Sequence, residues 1–114
     1  MSYEARHDIE IKRGETYRQD FIFKTKSTQA LADISTMTAK AQVRPSKDSP
    51  ILTQEITCEK FDNESRIQLS ITAEDTANIK SGFYEWDLRV TDSETTEIAY
   101  YIWGRFIVQG RVTR

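Results

Sequence analysis

Apolar and polar residues alternate with a period of two along most of this chain. This period points successive side chains to opposite faces of an extended backbone, so each alternating segment is predicted as a half-buried β-strand. Seven such segments follow one another, and we letter them A to G. Their apolar positions are Ile9 and Ile11 (A); Tyr17, Phe21 and Phe23 (B); Met37, Ala39, Ala41 and Val43 (C); Leu52 and Ile56 (D); Ile67, Leu69 and Ile71 (E); Tyr84, Trp86, Leu88 and Val90 (F); and the long run over 98–108 (G).

The breaks between these segments have the composition of turns, since Gly, Pro, Asn, Asp and Ser concentrate there. The turn-rich stretches are 13–15, 26–29, 45–50 and 62–65. No internal repeat or linker divides the chain, so one domain over 1–114 is predicted. The segment up to Arg6 and the tail over 111–114 are expected as short N- and C-terminal arms. Such arms can add strands to the sheet edge of a neighbour, or they can be frayed ends.

One helical turn is predicted between strands E and F. Thr72 is a residue type that caps helix N-termini, and Glu74 and Asp75 follow it where the helix dipole favours acidic residues. Gly82 is expected at a left-handed backbone position that ends the turn. The segment is too short to form a second layer of structure.

Seven short strands with one helical turn between the fifth and the sixth predict an all-β fold, a seven-stranded immunoglobulin-like β-sandwich. In that fold a tyrosine near the start of strand F folds its hydroxyl back onto the E–F turn, and Tyr84 holds the matching position. The alternative is that Tyr84 is an ordinary core aromatic. Trp86 stands where antibody domains have a cysteine, and we expect it to fill the space between the sheets by volume.

Composition and charge narrow the classes of partner and compartment. The chain has 114 residues, which is enough for one core, and a net charge of −2. Because Lys and Arg are not clustered, binding to nucleic acid or to an anionic membrane is not expected. No apolar stretch approaches the length of a spanning helix, and because the N-terminus MSYEARHDIE lacks an apolar region we expect no signal peptide. The lone Cys58 excludes an internal disulfide. Synthesis in a reducing cytoplasm fits these features.

The residues that catalysis and metal binding require are scarce. His7 is the only histidine and lies beside the N-terminal arm, so a nucleophile lacks a nearby base. Cys58, just after strand D, is interpreted as a bystander thiol, and one Cys with one His cannot complete a zinc site. Glu85 and Asp87 on strand F are expected to point outward into solvent. We therefore predict a protein that is not an enzyme and has no catalytic residue, cofactor or metal.

Strand G is apolar on both faces. One face carries Ile98, Tyr100, Ile102, Phe106 and Val108, and the other carries Ala99, Tyr101, Trp103 and Ile107. A sandwich strand buries only one face, so the chain itself or another protein must cover the second. Because Tyr, Trp and Arg are enriched at interface hot spots, the interface candidates are Tyr101, Trp103, Arg105 and Ile107. The alternative is a bulge at Gly104, which would swap the faces midway and turn Ile107 inward.

Four segments carry a recognisable pattern: IKRGETYRQDFIFK, DISTMTAKAQVRPS, RIQLSITAEDTANIKSGFYEWDLRVTD and WGRFIVQGRVTR. Within them lie I-x-R-G-E-T at 11–16, A-Q-V-R at 41–44, the stretch 71–88, G-x-x-x-V at 104–108 and V-T-R at 112–114. Together they resemble a small immunoglobulin-like domain of tailed-bacteriophage virion proteins, similar to the N-terminal domains of baseplate upper and fibre-attachment proteins. The resemblance covers almost the whole chain.

This resemblance implies a structural protein of the virion, such as a baseplate, tail, neck or fibre-attachment component or a capsid decoration protein. It also implies assembly with other virion proteins and with copies of itself, and a location in the virion after synthesis in the host bacterial cytoplasm. The residues alone leave one alternative open. A carbohydrate-binding β-sandwich would use Tyr101 and Trp103 as a platform on which sugar rings stack.

Overall fold

The alternating segments form the strands of a curled β-sheet. A computed structural model describes residues 3–24 and 30–110, which form an all-β chain with one short helix. The elements are β1 (Tyr3–Arg6), β2 (Ile9–Lys12), β3 (Tyr17–Ile22), β4 (Met37–Arg44), β5 (Gln54–Phe61), a 3₁₀ turn (Asp62–Glu64), β6 (Arg66–Ile71), α1 (Ala73–Ala77), β7 (Gly82–Asp92) and β8 (Ile98–Gln109). The seven predicted strands correspond to β2 to β8. The predicted turn at 26–29 and the tail at 111–114 lie outside the described residues.

The strands follow the order β1-β8-β7-β4-β5-β6-β3, with β2 also paired to β8. β5 joins the two parts of this order, because its residues 54–56 pair with β4 and its residues 57–61 pair with β6. The sheet therefore curls through β5 into a half-barrel, where the sequence predicts two separate sheets. We name the two parts the β8 half (β1, β2, β8, β7 and β4) and the β6 half (β6, β3 and the end of β5).

The core lies between the two halves. The β8 half contributes Val43, Trp86, Leu88 and Phe106, and the β6 half contributes Ile67, Leu69 and Ile71. Trp86 is 3% exposed, and its indole Nε1 donates to the carbonyl of His7 at 2.7 Å. A buried indole needs such a partner for its N–H. The prediction that Trp86 fills the core by volume is confirmed, but this core lies inside one curled sheet and not between two separate ones.

The connection from β6 to β7 has the predicted cap and the predicted tyrosine contact. The Thr72 side chain caps α1 and accepts the N–H of Asp75 at 3.2 Å. The Tyr84 hydroxyl donates to the carbonyl of Lys80 at 2.7 Å and so folds back onto the turn before β7. The position expected for Gly82 is wrong, because α1 ends at Ala77 and Gly82 instead opens β7. Its φ is nevertheless positive, at 155°.

The turn between β2 and β3 is fastened to α1. The fully buried Thr76 of α1 donates its hydroxyl to the carbonyl of Glu15 at 2.8 Å and accepts the N–H of Gly14 at 3.1 Å. Arg13 donates from Nη2 to the carbonyl of Ala77 at 2.7 Å, at the helix end where backbone carbonyls lack partners. The first and third of the four sequence segments, which begin at Ile11 and Arg66, meet at these hydrogen bonds. The contacts give a structural role to the residues of both segments that take part in them.

The N-terminal segment is part of this chain's own sheet. β1 and β2 both pair with β8 in parallel, and the chain steps inward between them at His7 and Asp8. Gly104 permits this step, because a Cβ at that position would lie 2.3 Å from the carbonyl oxygen of His7. The expectation of an arm up to Arg6 is therefore wrong for the described residues 3–6, which pair along β8.

His7 is held in place and does not belong to a mobile end. Its ring packs edge-on to Phe21 at 5.4 Å between centroids. The Gln19 side-chain amide donates to its Nε2 at 2.8 Å, and the Tyr17 hydroxyl donates to the Gln19 amide oxygen at 2.9 Å. These contacts span the gap between the two edge strands, so His7 closes the half-barrel at a place where the described strands share no backbone ladder.

Strand D is displaced from its predicted position. β5 begins at Gln54 and continues to Phe61, because its second part pairs with β6. Leu52 lies before the strand and is 41% exposed. Cys58 lies inside β5, half-buried, and not after the strand as expected.

Candidate interaction surface

The outward face of the β8 half brings the four candidate residues together. In β8 the even positions Ile102, Gly104, Phe106 and Val108 are buried, so the odd positions point outward. The pairing of β7 with β8 is continuous from Gly82 opposite Val108 to Val90 opposite Tyr100. The alternative of a bulge at Gly104 is therefore wrong, since the irregularity lies between Val90 and Thr91. We call the surface formed by Tyr101, Trp103, Arg105, Ile107 and their outward neighbours the outer β8 face.

Trp103 lies near the middle of this face and is 39% exposed. β1 places Arg6 directly beside it, with the guanidinium carbon 5.5 Å from the centre of the indole ring. A guanidinium at this distance interacts favourably with the ring. The sequence does not identify Arg6 as a member of the site, because the contact depends on the pairing of β1 with β8.

Tyr101 is half-buried and oriented by an acidic neighbour. Its hydroxyl donates to Asp87 Oδ2 at 3.2 Å, and Arg89 Nε lies 3.8 Å from the same oxygen. Burial, together with the charge of Asp87, raises the pKa of Tyr101. Asp87 and Glu85 lie on the outward face of β7, as the sequence predicts. The Glu85 carboxylate also accepts the backbone N–H of Lys47.

Arg105 is exposed and pairs across the strands with Glu85. Its backbone N–H donates to Asp8 Oδ1 at 2.9 Å, and this hydrogen bond is the main cause that lowers the pKa of Asp8. The backbone of Arg105 is thus positioned by its pairing with Glu85 on β7 and by its hydrogen bond to Asp8, and its charged side chain points outward. This arrangement places an exposed cation on the outer β8 face.

An apolar pair occupies the end of the face next to the β7 start. Ile107 is half-buried, and its cross-strand neighbour Phe83 is 75% exposed, the highest value among the large apolar side chains of the described residues. Sequence reasoning missed Phe83. The signal was present, because Phe83 has the same outward parity as Glu85 and Asp87 on strand F. Its proximity to Ile107 depends on the register.

The Cys58 thiol is held in an unreactive setting. Burial raises the pKa of the Cys58 thiol to about 11, which disfavours the reactive thiolate.

Among residues 3–24 and 30–110 there is no group of three or more side chains that could hold a metal ion. A shallow cleft of about 390 Å³ opens between β2 and β3, lined by Glu10, Ile11, Lys12, Glu15, Thr16, Tyr17, Arg18 and Gln109. In the described part of the chain no helix has the length and apolar character needed to cross a membrane.

Comparison with known proteins gives similarity of fold only. No protein-family model matches the chain, and no curated protein matches it. Similar solved structures include that of Listeria monocytogenes InlP, with a TM-score of 0.51 and 10% identity over 95% of this chain. The chain spans only 28% of InlP. Another is the NK cell receptor Nkp44, described as a triggering partner in natural cytotoxicity, with a TM-score of 0.50 and 9% identity over 96% of this chain and 99% of that one. This likeness supports an immunoglobulin-like fold.

Proposed function

We propose that this protein is a non-enzymatic structural protein of a tailed-phage virion that assembles with other proteins through its outer β8 face. The observation that carries the docking role is the exposure of Trp103 and Phe83 on one continuous face beside Tyr101 and Ile107. The virion role rests on the sequence resemblance. The alternating segments and the recognisable motifs extend over almost the whole chain, and they support a role as a baseplate, tail, neck or fibre-attachment component.

The composition of the outer β8 face supports docking. Interface hot spots are enriched in Trp, Tyr and Arg at the centre of a patch that becomes dry on binding. Here Trp103 is central, with Tyr101 on one side and Arg105 on the other. Phe83 leaves most of its ring in water, an arrangement that burial against a partner would improve. The partners are other virion proteins and further copies of this chain.

In this proposal the fold is an immunoglobulin-like sandwich whose first strand is in two parts. β2 to β8 take the places of strands A to G, and the inward step at His7 divides the first strand into β1 and β2. β5 passes from one layer to the other. The hydrogen bond from Tyr84 to Lys80 supports the assignment of β7 as strand F.

The virion role is tested by particle incorporation. The chain is supplied in an infected host, and intact particles are purified and probed for wild type, Trp103→Ala and Phe61→Ala. Phe61 is a matched control, because it is an aromatic residue on the opposite outward face that also lies under a guanidinium. We expect wild type and Phe61→Ala in the particles and a clear loss of Trp103→Ala. Absence of the wild-type chain from particles, or equal incorporation of both variants, would contradict the proposal.

A carbohydrate-binding module is the second candidate, because Tyr101 and Trp103 lie two residues apart on one outward face. Two contacts weigh against it. Arg6 lies beside the Trp103 ring, and the Tyr101 hydroxyl is bound to Asp87. A sugar platform needs free ring faces and free polar groups. A glycan array separates the candidates, since specific binding that is lost in Trp103→Ala would favour the carbohydrate role.

A further inference from the structure

The outer β8 face is a grid of laterally paired residues. Each outward residue of β8 lies beside an outward residue of β7, and these pairs form rows across the strands. The rows are Ile107 with Phe83, Arg105 with Glu85, Trp103 with Asp87, and Tyr101 with Arg89. β1 and β4 extend the last row with Glu4 and Lys40. Within most rows, one side is the chemical complement of the other.

We propose that the partner of the outer β8 face is a second copy of this chain, packed face to face about a twofold axis that runs along the strands between β7 and β8. This inference rests on the proposed docking function and names its partner. The axis places each outward β8 residue opposite the β7 residue of its own row in the second copy. A twofold contact must be self-complementary, since the same patch serves both subunits.

The grid meets this requirement in the row of Arg105 with Glu85 and in the row of Ile107 with Phe83, while in the central row Trp103 faces the partner's Asp87. Arg105 faces the partner's Glu85, and the same ion pair forms a second time by symmetry. Ile107 faces the partner's Phe83, which covers the most exposed of the large apolar side chains. Glu4 faces the partner's Lys40 at the margin. No row places like charges together.

The other simple twofold arrangement is unfavourable. An axis across the strands, through the row of Trp103 and Asp87, would place Asp87 against the partner's Asp87. It would also place Arg44 against the partner's Lys40, because these cations lie in rows on either side of that axis. Like charges in an interface cost several kcal/mol and suppress a binding mode. The same axis would also bring Glu85 onto the partner's Arg89, but this pair is offset by the contacts between like charges, whereas the axis along the strands has none in its rows. Charge therefore favours the axis along the strands.

The area of the face predicts a weak, concentration-dependent pair. Strands lie about 4.8 Å apart and residues rise about 3.4 Å, so four strands over the rows from Phe83 to Thr91 give roughly 500 Å² per copy. A pair would bury roughly 1,000 Å² in total, near the lower limit for a specific interface. Sheets that pack face to face keep their strands within about 30° of each other, so the central rows meet most closely.

The test is a pair of charge reversals measured by light scattering at up to roughly 100 μM, a range that detects micromolar association. Arg105→Glu leaves acidic side chains at both positions of the row formed by residues 85 and 105, and Glu85→Arg leaves basic side chains at both. We expect each variant alone to lose association at least roughly tenfold, because like charges then face each other twice. A one-to-one mixture should recover the mass of a pair, since acids of one chain then face bases of the other. Mixing cannot repair a fold damaged within one chain.

Glu59→Arg is the control, because it makes the same charge change on the outward side of β5, away from this face. It should associate like wild type. A mixture of Arg105→Glu with Glu85→Arg that stays monomeric would overturn the arrangement. A wild-type chain that is monomeric throughout would overturn the second copy as partner. In that case, loss of Trp103→Ala from particles would still support the docking face, so the two proposals fail separately.

Discussion

The two outward faces of this half-barrel are built from strands of the same period but differ in how far their aromatic side chains are covered. On the β6 half, Arg66 donates to Asp20 at 3.1 Å and to Glu64 at 2.8 Å, and its guanidinium lies 3.9 Å from the centre of the Phe61 ring. Asp20 also accepts the side-chain amide of Gln68 at 3.1 Å. The ion pairs and the aromatic ring of this face are thus joined in one cluster.

The outer β8 face also has ion pairs, Arg6 with Asp8 at 3.3 Å and Arg89 with Asp87 at 3.8 Å, but they leave its large apolar side chains exposed. Arg6 lies 5.5 Å from the centre of the Trp103 ring and leaves that side chain 39% exposed, while Phe83 is 75% exposed. The β6 half is not free of exposed apolar surface, since Ile22 at its edge is 59% exposed. The difference lies in the centre of each face. A sheet whose own ion pairs cover its aromatic residue is suited to water, and one that leaves a central tryptophan open is suited to a partner.

The largest expected effect on stability comes from the interior and not from either outward face. Trp86→Ala should lower the free energy of unfolding by about 3 to 5 kcal/mol, because it empties a large aromatic site between the two halves and leaves the His7 carbonyl without its donor. Chemical denaturation measures this loss. A midpoint close to that of wild type would show that the interior does not carry the stability of the fold.

The next effect concerns the strand that joins the halves. Cys58 lies on the inward side of β5, and burial raises its pKa from 9.0 to about 11, so the thiolate fraction below pH 9 falls roughly hundredfold. Alkylation near pH 8 should therefore be about a hundred times slower in the folded protein than in the unfolded chain. Equal rates would mean that the junction between the halves opens readily, and that the two faces are not held by one rigid sheet.

Gly104→Ala should destabilise the edge beneath the outer β8 face. The added Cβ would lie 2.3 Å from the backbone oxygen of His7, and backbone must shift to relieve that clash. Overpacking of this kind costs about 1 to 3 kcal/mol. Because β1 carries Arg6, the change should also weaken association, which Phe61→Ala should not. Thermal unfolding and light scattering on one sample check both effects, and wild-type values in both would contradict the close packing at His7.

The smallest effect belongs to the outward side of the β6 half. Arg66→Met removes two exposed ion pairs and the contact with Phe61, so it should lower the unfolding temperature only slightly. The difference from wild type should shrink with added salt, which screens the ion pairs of the wild-type chain. Association should not change. If association were lost instead, the β6 half and not the outer β8 face would carry the docking surface.

The sequence predicts the strands well because local alternation is a property of each segment. It also identifies Tyr84, Trp86 and the cap at Thr72 from residue type and position, and the structure confirms all three. Pairing is different, since it depends on segments far apart in the chain. For this reason the sequence predicts an arm where β1 pairs with β8, and it does not predict that β5 pairs with both β4 and β6.

The candidate site shows the same limit. Parity along one strand correctly groups Tyr101, Trp103, Arg105 and Ile107, but parity cannot say which neighbours share a row with them. Arg6 and Phe83 enter the site only through register. The glycine at position 104 is equally compatible in sequence with a bulge and with close approach of another segment, and only the position of His7 decides between them.

The most direct test of the account measures stability and association together on Trp103→Ala. If the outer β8 face is a docking surface, the unfolding free energy should stay within about 1 kcal/mol of wild type. Association should weaken by about 2 kcal/mol or more, which is roughly thirtyfold in affinity, because the truncation removes a central aromatic. A variant that loses several kcal/mol of stability while its folded fraction still associates would contradict the account, and so would one with wild-type stability, mass and particle incorporation.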